Sequence, residues 1–397
     1  MNILLVTPNY PPEIGGAAHL VSELAASLKA KGHGVTVLTN YPCYNVKVTP
    51  PQYRRGLRMT ETLNGITIKR IRIPSLPRNS RIARGFEHLF FGLWLSVLTA
   101  TVPRADVAMA FSPPLAIPWM IGLIGKMRRM PAVVTIQDLF PREAVELGML
   151  TNPLLIRLFE MMERQVYSLA ARVTVHSPGN KGHVVQQAGG REHVHVVGNW
   201  VDLNRIRPGN NDNGFARKHG LGSHFVVSYA GTMGWAQDME TIIKSAARLR
   251  EDNRILFLLV GDGVEKQKAQ AMARKMGLKN IRWLPIQPWS VYPEILSASD
   301  VCLINLHPEL RTPVVPSKLL GIMAAARPVI ASLPAESDAR RIIGDANCGI
   351  YVDAGDEEAL AEAIRNLASD RRMGNEMGQR GRAYAEKHFS REVCTDK

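Results

Sequence analysis

The sequence predicts an α/β protein built from two parallel-sheet domains, and three observations carry that prediction. Short β-rich runs alternate with helical segments along the chain, the pattern of parallel strands covered by helices on both faces. The alternation breaks at a polar cluster after residue 206 and then restarts. At 397 residues the chain exceeds what one core organises and suits two domains of about 150–200 residues each.

In the first half the expected strands are Ile3–Thr7, Val35–Thr39, Ile66–Ile71, Val107–Phe111, Val133–Ile136, Val173–His176 and Val194–Val197. Helices Ala17–Lys31, Ile82–Ala100 and Leu154–Ala170 connect them. The uncharged stretch 107–125 is long enough to raise a membrane span, but Pro113, Pro114 and Pro118 make it a strand, a loop and a helix. The cluster Arg207-Pro208-Gly209-Asn210-Asn211-Asp212-Asn213-Gly214 reads as a linker or exposed loop, which sets the domains at 1–200 and 201–397. The second half repeats the pattern with strands Phe225–Tyr229, Leu256–Val260, Ile281–Leu284, Val301–Ile304 and Val329–Ala331. Helices begin near Gln237, Val264, Ser290 and Ser317, and residues 357–388 read as helix, a candidate to pack back on the first domain.

Composition narrows the function classes. An apolar share of 46% and a charged share of 21% are those of a folded globular protein. Cys43, Cys302, Cys348 and Cys394 form no CxxC pair, which argues against a disulfide framework or a zinc site and for a reducing compartment. The first residues carry no signal-peptide pattern, so the expectation is a cytoplasmic protein. The net charge of +14 is uneven: residues 1–200 hold 22 Lys and Arg against 11 Asp and Glu, residues 201–397 hold 27 against 24. Segment 47–84 is the most basic, including Arg70, Arg72, Arg78, Arg81 and Arg84 against the single acid Glu61. Such a field attracts polyanions. Nucleic acid is disfavoured because no stacking aromatics accompany the charge. An anionic membrane surface or a phosphorylated acceptor remains, with Arg78, Arg81 and Arg84 as its candidate contacts. The uncharged run from Leu89 to Val102 is too short to cross a bilayer and can be an interfacial or a buried core helix.

Ligands of open α/β sheets sit at the carboxyl ends of the strands. The first such loop holds Gly15 and Gly16, which either admit a ligand to the backbone or make a tight turn. The second domain opens alike, with Gly231-Thr232-Met233-Gly234 before Gln237. Neither loop reads GxGxxG, so a nicotinamide dehydrogenase is disfavoured. Asp262 and Gly263 end another strand, as ligand contacts or as a helix cap. Pro316-Ser317-Lys318 starts a helix with a hydroxyl and a cation, a setting for a diphosphate or a bare surface lysine. Asp138, after a buried strand, either meets substrate or caps a turn. No HExxH occurs, and no metal is expected.

With these motifs in place, the chain resembles a GT-B-fold glycosyltransferase of family 4, from the branch that builds bacterial O-antigen, capsule and exopolysaccharide and is similar to N-acetyl-L-fucosamine transferases. The resemblance rests on Asn9-Tyr10-Pro11-Pro12-Glu13-Ile14-Gly15-Gly16, Gln137-Asp138-Leu139-Phe140-Pro141, Val260-Gly261-Asp262-Gly263, Val315-Pro316-Ser317-Lys318 and Met323-Ala324-Ala325-Ala326-Arg327-Pro328. It implies two Rossmann-like doubly wound domains facing across a cleft, acceptor on the first and nucleotide sugar on the second. It implies retaining transfer without cofactor or metal, in which the leaving phosphate takes the acceptor's proton. The donor would be UDP-linked and the acceptor a polyprenyl-diphosphate-linked or other phosphorylated glycan, at the inner face of the plasma membrane. Gly16 and the Gly231–Gly234 loop would approach the diphosphate, Ser317 and Lys318 would bind it, Ile286 would meet the base and Asp138 the sugar or acceptor. Thr232 and Gln237 stand where many members carry Arg and Lys, which leaves Lys318 and Arg311 to neutralise charge. Gly321 replaces the usual ribose-binding Glu, and Ala326 a usual Gly. A non-catalytic nucleotide-sugar- or partner-binding protein and a nucleotide-sugar epimerase are the alternatives.

Overall fold

The computed structural model describes residues 1–13, 18–42, 50–54, 56–72, 102, 104–190 and 193–397. Gly15, Gly16, Cys43, Arg78, Arg81, Arg84 and the expected helix Ile82–Ala100 lie outside the described residues. The chain divides into unit 1, residues 1–198 with 395–397, and unit 2, residues 199–394.

Unit 1 is an eight-stranded sheet of β1 (Asn2–Val6), β2 (Gly34–Asn40), β3 (Arg58–Leu63), β4 (Ile66–Ile71), β5 (Val107–Ser112), β6 (Ala132–Ile136), β7 (Arg172–Val175) and β8 (Val194–Val196). Their spatial order is β3-β4-β2-β1-β5-β6-β7-β8, parallel except for β3. All seven expected strands are present. The eighth, β3, is an exposed edge strand, and a two-residue turn joins it to β4 through Asn64 (φ 51°) and Gly65 (φ 74°). Both left-handed residues are what an Asn-Gly hairpin turn demands. The helices described in this unit are α1 (Ala18–Ala30), α2 (Ala116–Arg128), α3 (Arg142–Glu146), α4 (Pro153–Leu169) and α5 (Pro178–Gln187). Val134, Ile136, Val173 and Val175 point from the sheet onto Met162, Val166 and Tyr167 of α4, one continuous core.

Unit 2 is a six-stranded, all-parallel sheet of β9 (Phe225–Thr232), β10 (Ile255–Asp262), β11 (Ile281–Leu284), β12 (Val301–Asn305), β13 (Val329–Leu333) and β14 (Gly349–Asp353), ordered β11-β10-β9-β12-β13-β14. Around it lie α6 (Gly214–Lys218), α7 (Met239–Arg248), α8 (Lys266–Lys275), α9 (Tyr292–Ser297), α10 (Lys318–Ala324), α11 (Asp338–Ala346), α12 (Glu357–Ser369), α13 (Arg371–His388) and α14 (Arg391–Thr395). The helices expected near Gln237, Val264, Ser290 and Ser317 each begin one or two residues later. The single helix expected over 357–388 is two, because Asp370 leaves helical geometry (φ −131°, ψ 79°) and its side chain accepts the Met373 amide at 2.9 Å, capping α13.

The cluster 207–214 is no free linker. Arg327 donates to the Gly209 carbonyl at 2.5 Å and to Asn211 at 2.6 Å, and Asn211 donates to Asp300 at 3.2 Å. These bonds hold the cluster on unit 2, and the division falls upstream, between Gly198 and Asn199. Strand order reverses between β1 and β5 in unit 1 and between β9 and β12 in unit 2. At such switch points the loops leaving the strands diverge and open a crevice.

Candidate functional site

The loop leaving β9 is built on contacts only glycine permits. Gly231 has φ 148°, and a Cβ there would stand 2.3 Å from Cε of Lys318. The lysine stem thus lies directly on the glycine backbone, and its Nζ sits 4.9 Å from the ring centre of Tyr229. The Tyr229 hydroxyl is turned away, donating to the Thr232 carbonyl. Lys318 is partly buried, and desolvation pushes its ammonium down to about 8. A cation held over an aromatic face and stripped of water favours an anionic ligand that restores its solvation.

Met233, wholly buried, clasps this loop to the one leaving β10. Its amide donates to the Asp262 carbonyl at 2.9 Å and its carbonyl accepts from the Glu265 amide at 3.0 Å. Gly263 (φ 150°) passes so close that a Cβ would stand 2.2 Å from the Met233 carbonyl oxygen, and one on Gly261 would stand 1.9 Å from that of Gly231. The exposed Asp262 carboxylate accepts its neighbour's amide, Gly263, at 2.9 Å and does not cap α8, whose cap position is Glu265. Gln237 is spent on the loop itself: its Oε1 accepts from the Gly234 amide at 3.0 Å, and its own amide donates to the Gly234 carbonyl at 3.0 Å. That side chain shapes the glycine loop.

Pro316 accepts the Leu319 amide at 3.0 Å as α10 begins, and the exposed Ser317 side chain makes no cap hydrogen bond. One turn into α10, Gly321 faces α9: a Cβ there would stand 3.0 Å from the Tyr292 hydroxyl oxygen. Tyr292 is stacked on Trp289 (centroids 4.9 Å, planes 12° apart), and Arg205 covers Trp289 at 5.4 Å. The phenol therefore occupies the space next to the missing side chain. Ile286 lies just past the end of β11, half-buried. Arg311 is exposed and pairs with Glu336 at 3.3 Å, which diverts part of its charge.

In unit 1, Asp138 stands exposed beyond the end of β6, held by the Gln137 amide on the Ser112 carbonyl at 2.9 Å. It does not cap α3, whose cap position is Pro141. Low-dielectric surroundings raise its pKa, and they push the neighbouring Glu143 up to about 8, with the charges of Asp138 and Glu146 adding to that shift. Behind this pair Arg142 bridges Glu146 (2.8 Å) and His183 (3.4 Å), and His183 meets the buried Glu163 (3.0 Å), which also accepts from Tyr167 (2.8 Å).

The loop leaving β1 is fixed from β4. Arg70, 1% exposed, donates to the Pro11 carbonyl, to the Asn40 carbonyl at 3.2 Å and to Glu61 at 2.5 Å, with its guanidinium 5.0 Å from the Tyr53 ring centre. Arg72 donates to the Tyr53 carbonyl at 2.6 Å and lies over Tyr41 at 4.5 Å. These two members of the basic segment are structural, not part of a polyanion-facing field. Within unit 2 the fold brings Gly231, Thr232, Met233, Gly234, Asp262, Gly263 and Lys318 together; Asp138 belongs to unit 1. Sequence reading missed Glu143, Tyr229, Tyr292 and Arg70, because each is recruited from a separate element without a local motif. Among the described residues no three His, Cys, Asp or Glu side chains are grouped to hold a metal ion, and no helix is long and apolar enough to cross a membrane.

Two doubly wound sheets in one chain, each with its switch-point loops, are the GT-B architecture. Solved structures share the architecture: the Anabaena HepE complex with UDP superposes with a TM-score of 0.73 at 16% identity, covering 100% of this chain and 98% of that one. The lipopolysaccharide-biosynthesis glycosyltransferase WaaG superposes at 0.68 and 17% identity, over 99% of this chain and 98% of that one. Among curated relatives, WcaI of Escherichia coli K12, named for a colanic acid biosynthesis glycosyl transferase, is 24% identical over 92% of this chain and 91% of its own. WbjE of Pseudomonas aeruginosa, named for a glycosyltransferase, is 24% identical over 75% of this chain and 74% of its own. Residues 15–200 match the glycosyl transferase 4-like domain, and residues 214–384 match glycosyl transferases group 1. The chain belongs to this glycosyltransferase family.

Proposed function

We propose that the enzyme moves a hexose, N-acetylated or deoxy, from a UDP-linked donor to a polyprenyl-diphosphate-linked glycan in cell-surface polysaccharide synthesis. The transfer retains anomeric configuration and uses no metal, at the inner face of the membrane. The observation that carries the reading is Lys318 laid on the bare backbone of Gly231, with its ammonium partly desolvated over Tyr229. The complexes of HepE with UDP and with UDP-glucose support the choice of donor, and the name of WcaI supports the polysaccharide. In this reading unit 2 binds the nucleotide sugar and unit 1 the acceptor.

The chemistry follows from charge. As the glycosidic bond to the diphosphate breaks, negative charge grows on the phosphate, and a fixed ammonium stabilises that state more than the ground state. The acceptor hydroxyl attacks on the face the diphosphate leaves, and a departing phosphate oxygen takes its proton, so no paired carboxylates are required. Asp138 and Glu143, held toward their protonated forms, would hydrogen-bond acceptor hydroxyls.

The test is UDP release from UDP-glucose and UDP-N-acetylated sugars, read with donor affinity by calorimetry. Lys318→Met keeps a stem against Gly231 and removes the charge; turnover should fall by about 100-fold or more while the melting temperature does not fall. Because the free ammonium titrates near 8, donor affinity should weaken as pH rises from 7 to 9, by no more than about tenfold per unit above the pKa. Wild-type turnover in Lys318→Met, or a flat pH profile, would remove the lysine from the mechanism. A further alternative, a chain that binds donor without turnover, would show affinity with no UDP release.

A further inference from the structure

Tyr292 carries a hydroxyl that the fold leaves unspent. The half-buried phenol opens α9 and is fixed by stacking on Trp289, with planes 12° apart and Arg205 lying over the Trp289 ring in turn. Tyr53, Tyr167 and Tyr229 donate their hydroxyls to Glu61, to Glu163 and to the Thr232 carbonyl. The Tyr292 hydroxyl makes no hydrogen bond among the described residues. A tyrosine hydroxyl taken out of bulk water normally has a partner, so this one is placed to meet a group the protein does not supply. Burial raises the pKa of the phenol, which keeps its proton available for donation.

Position narrows the partner. The hydroxyl oxygen is the atom that a Cβ at Gly321 would meet first, at 3.0 Å. Gly321 lies one turn along α10 from Lys318, and residues three apart share a helix face. The same nearness shows from the sheet: Tyr229, whose ring centre is 4.9 Å from Nζ of Lys318, has its pKa raised by burial and then by Tyr292. The hydroxyl thus belongs to the wall that carries the ammonium, offset along α10 by about one turn, roughly 5 Å. Gly321 contributes no side chain there, which leaves the phenol as the polar tip at this level of the wall.

A nucleoside diphosphate whose phosphates rest on Lys318 carries a sugar on either side, the ribose and the hexose to be transferred. The connection from β11 separates the two. It runs into α9 and Tyr292, and it sets the half-buried Ile286 just beyond the strand, an apolar surface suited to the base that accompanies a ribose and not a hexose. We propose that the Tyr292 hydroxyl hydrogen-bonds a ribose hydroxyl of the donor nucleotide, which makes Tyr292 a specificity residue for the nucleoside half of the donor. This role rests on the reading of Lys318 as the diphosphate contact.

Calorimetric affinities of the full chain for UDP, 2′-deoxy-UDP and 3′-deoxy-UDP test it. The parent should bind one of the two deoxy analogues about tenfold more weakly than UDP, the effect of one neutral hydrogen bond. Tyr292→Phe keeps the ring on Trp289 and removes the hydroxyl; it should lose about tenfold for UDP and nothing for that analogue, at an unchanged melting temperature. A packing defect would instead weaken all three ligands equally, and that result would overturn the proposal. So would a variant that binds UDP like the parent, or a parent that binds all three ligands alike, an outcome that leaves the donor reading standing. A variant weakened toward UDP-glucose but not toward UDP would move the hydroxyl to the transferred sugar and overturn the ribose contact. A parent without affinity for UDP would end the donor reading itself, and the ribose contact with it.

Discussion

At the scale of single residues, two departures from the family pattern acquire physical content. Gly321 sits inside α10, where alanine should gain about 1 kcal/mol in helix propensity. Against that, a Cβ would stand 3.0 Å from the Tyr292 hydroxyl and 3.1 Å from its Cε1. Overpacking of this kind costs about 1–3 kcal/mol, so the contact outweighs the propensity and Gly321→Ala should lower stability in denaturant melts. In a Tyr292→Phe background the hydroxyl contact is gone, and the same substitution should cost less; an equal cost in both backgrounds would show that Tyr292 is not what excludes a side chain at 321. Ala326 poses the reverse case. It holds φ 53°, a left-handed backbone that costs an L-residue about 1–2 kcal/mol. Glycine would relieve that strain while giving the unfolded chain about 0.4–1 kcal/mol of entropy. Ala326→Gly should therefore be neutral or stabilising, whereas Ala324→Gly within α10 should cost about 1 kcal/mol. A melting temperature lowered equally by both would contradict the backbone argument.

At the scale of elements, strands and helices with a clear period are legible in the sequence, and the elements that are not have definite causes. β3 is an exposed edge strand whose alternation is weak, although Asn64-Gly65 beside it is a readable hairpin signal. β14 opens on Gly349, which reads as a breaker but is required by close approach: a Cβ there would stand 2.1 Å from the Val329 carbonyl. The end of α12 is invisible to helical periodicity because Asp370 changes only one residue's backbone before α13 resumes. Of the candidate site, the glycine loop and Lys318 were legible because a motif keeps them in local order. Their support was not. Tyr229 comes from the strand before the loop, and Tyr292 from another helix. Arg70 stands in a stretch whose charge suggested solvent, but its guanidinium is buried on the β1 loop, with Glu61 supplying the counter-charge. Sequence gives a residue's charge; only packing shows whether that charge faces water or the chain's own carbonyls.

At the scale of the whole molecule, two separate cores imply two separable responses. In unit 1, the low-dielectric surroundings at the end of β6 raise the pKa of Asp138 and, with the charges of Asp138 and Glu146 adding, bring that of Glu143 to about 8, above the ordinary value of 4.5. A raised acid binds its proton more tightly when folded, so unit 1 should lose stability as pH climbs from the unfolded pKa through the folded one. In unit 2, Lys318 is depressed from 10.5 to about 8, so the folded unit holds its proton less tightly than the unfolded chain. That penalty is present below pH 8 and is relieved between 8 and 10.5. A bound diphosphate acts in the opposite direction, because it stabilises the charged lysine and only the native fold binds it. Scanning calorimetry should accordingly resolve one transition that falls between pH 5 and 8 and another that UDP raises at pH 7. Glu143→Gln should flatten the first without moving the second, and Lys318→Met should abolish the UDP shift without touching the pH slope. If UDP and Glu143→Gln move the same transition, the nucleotide is held by unit 1 and the assignment of donor to unit 2 fails.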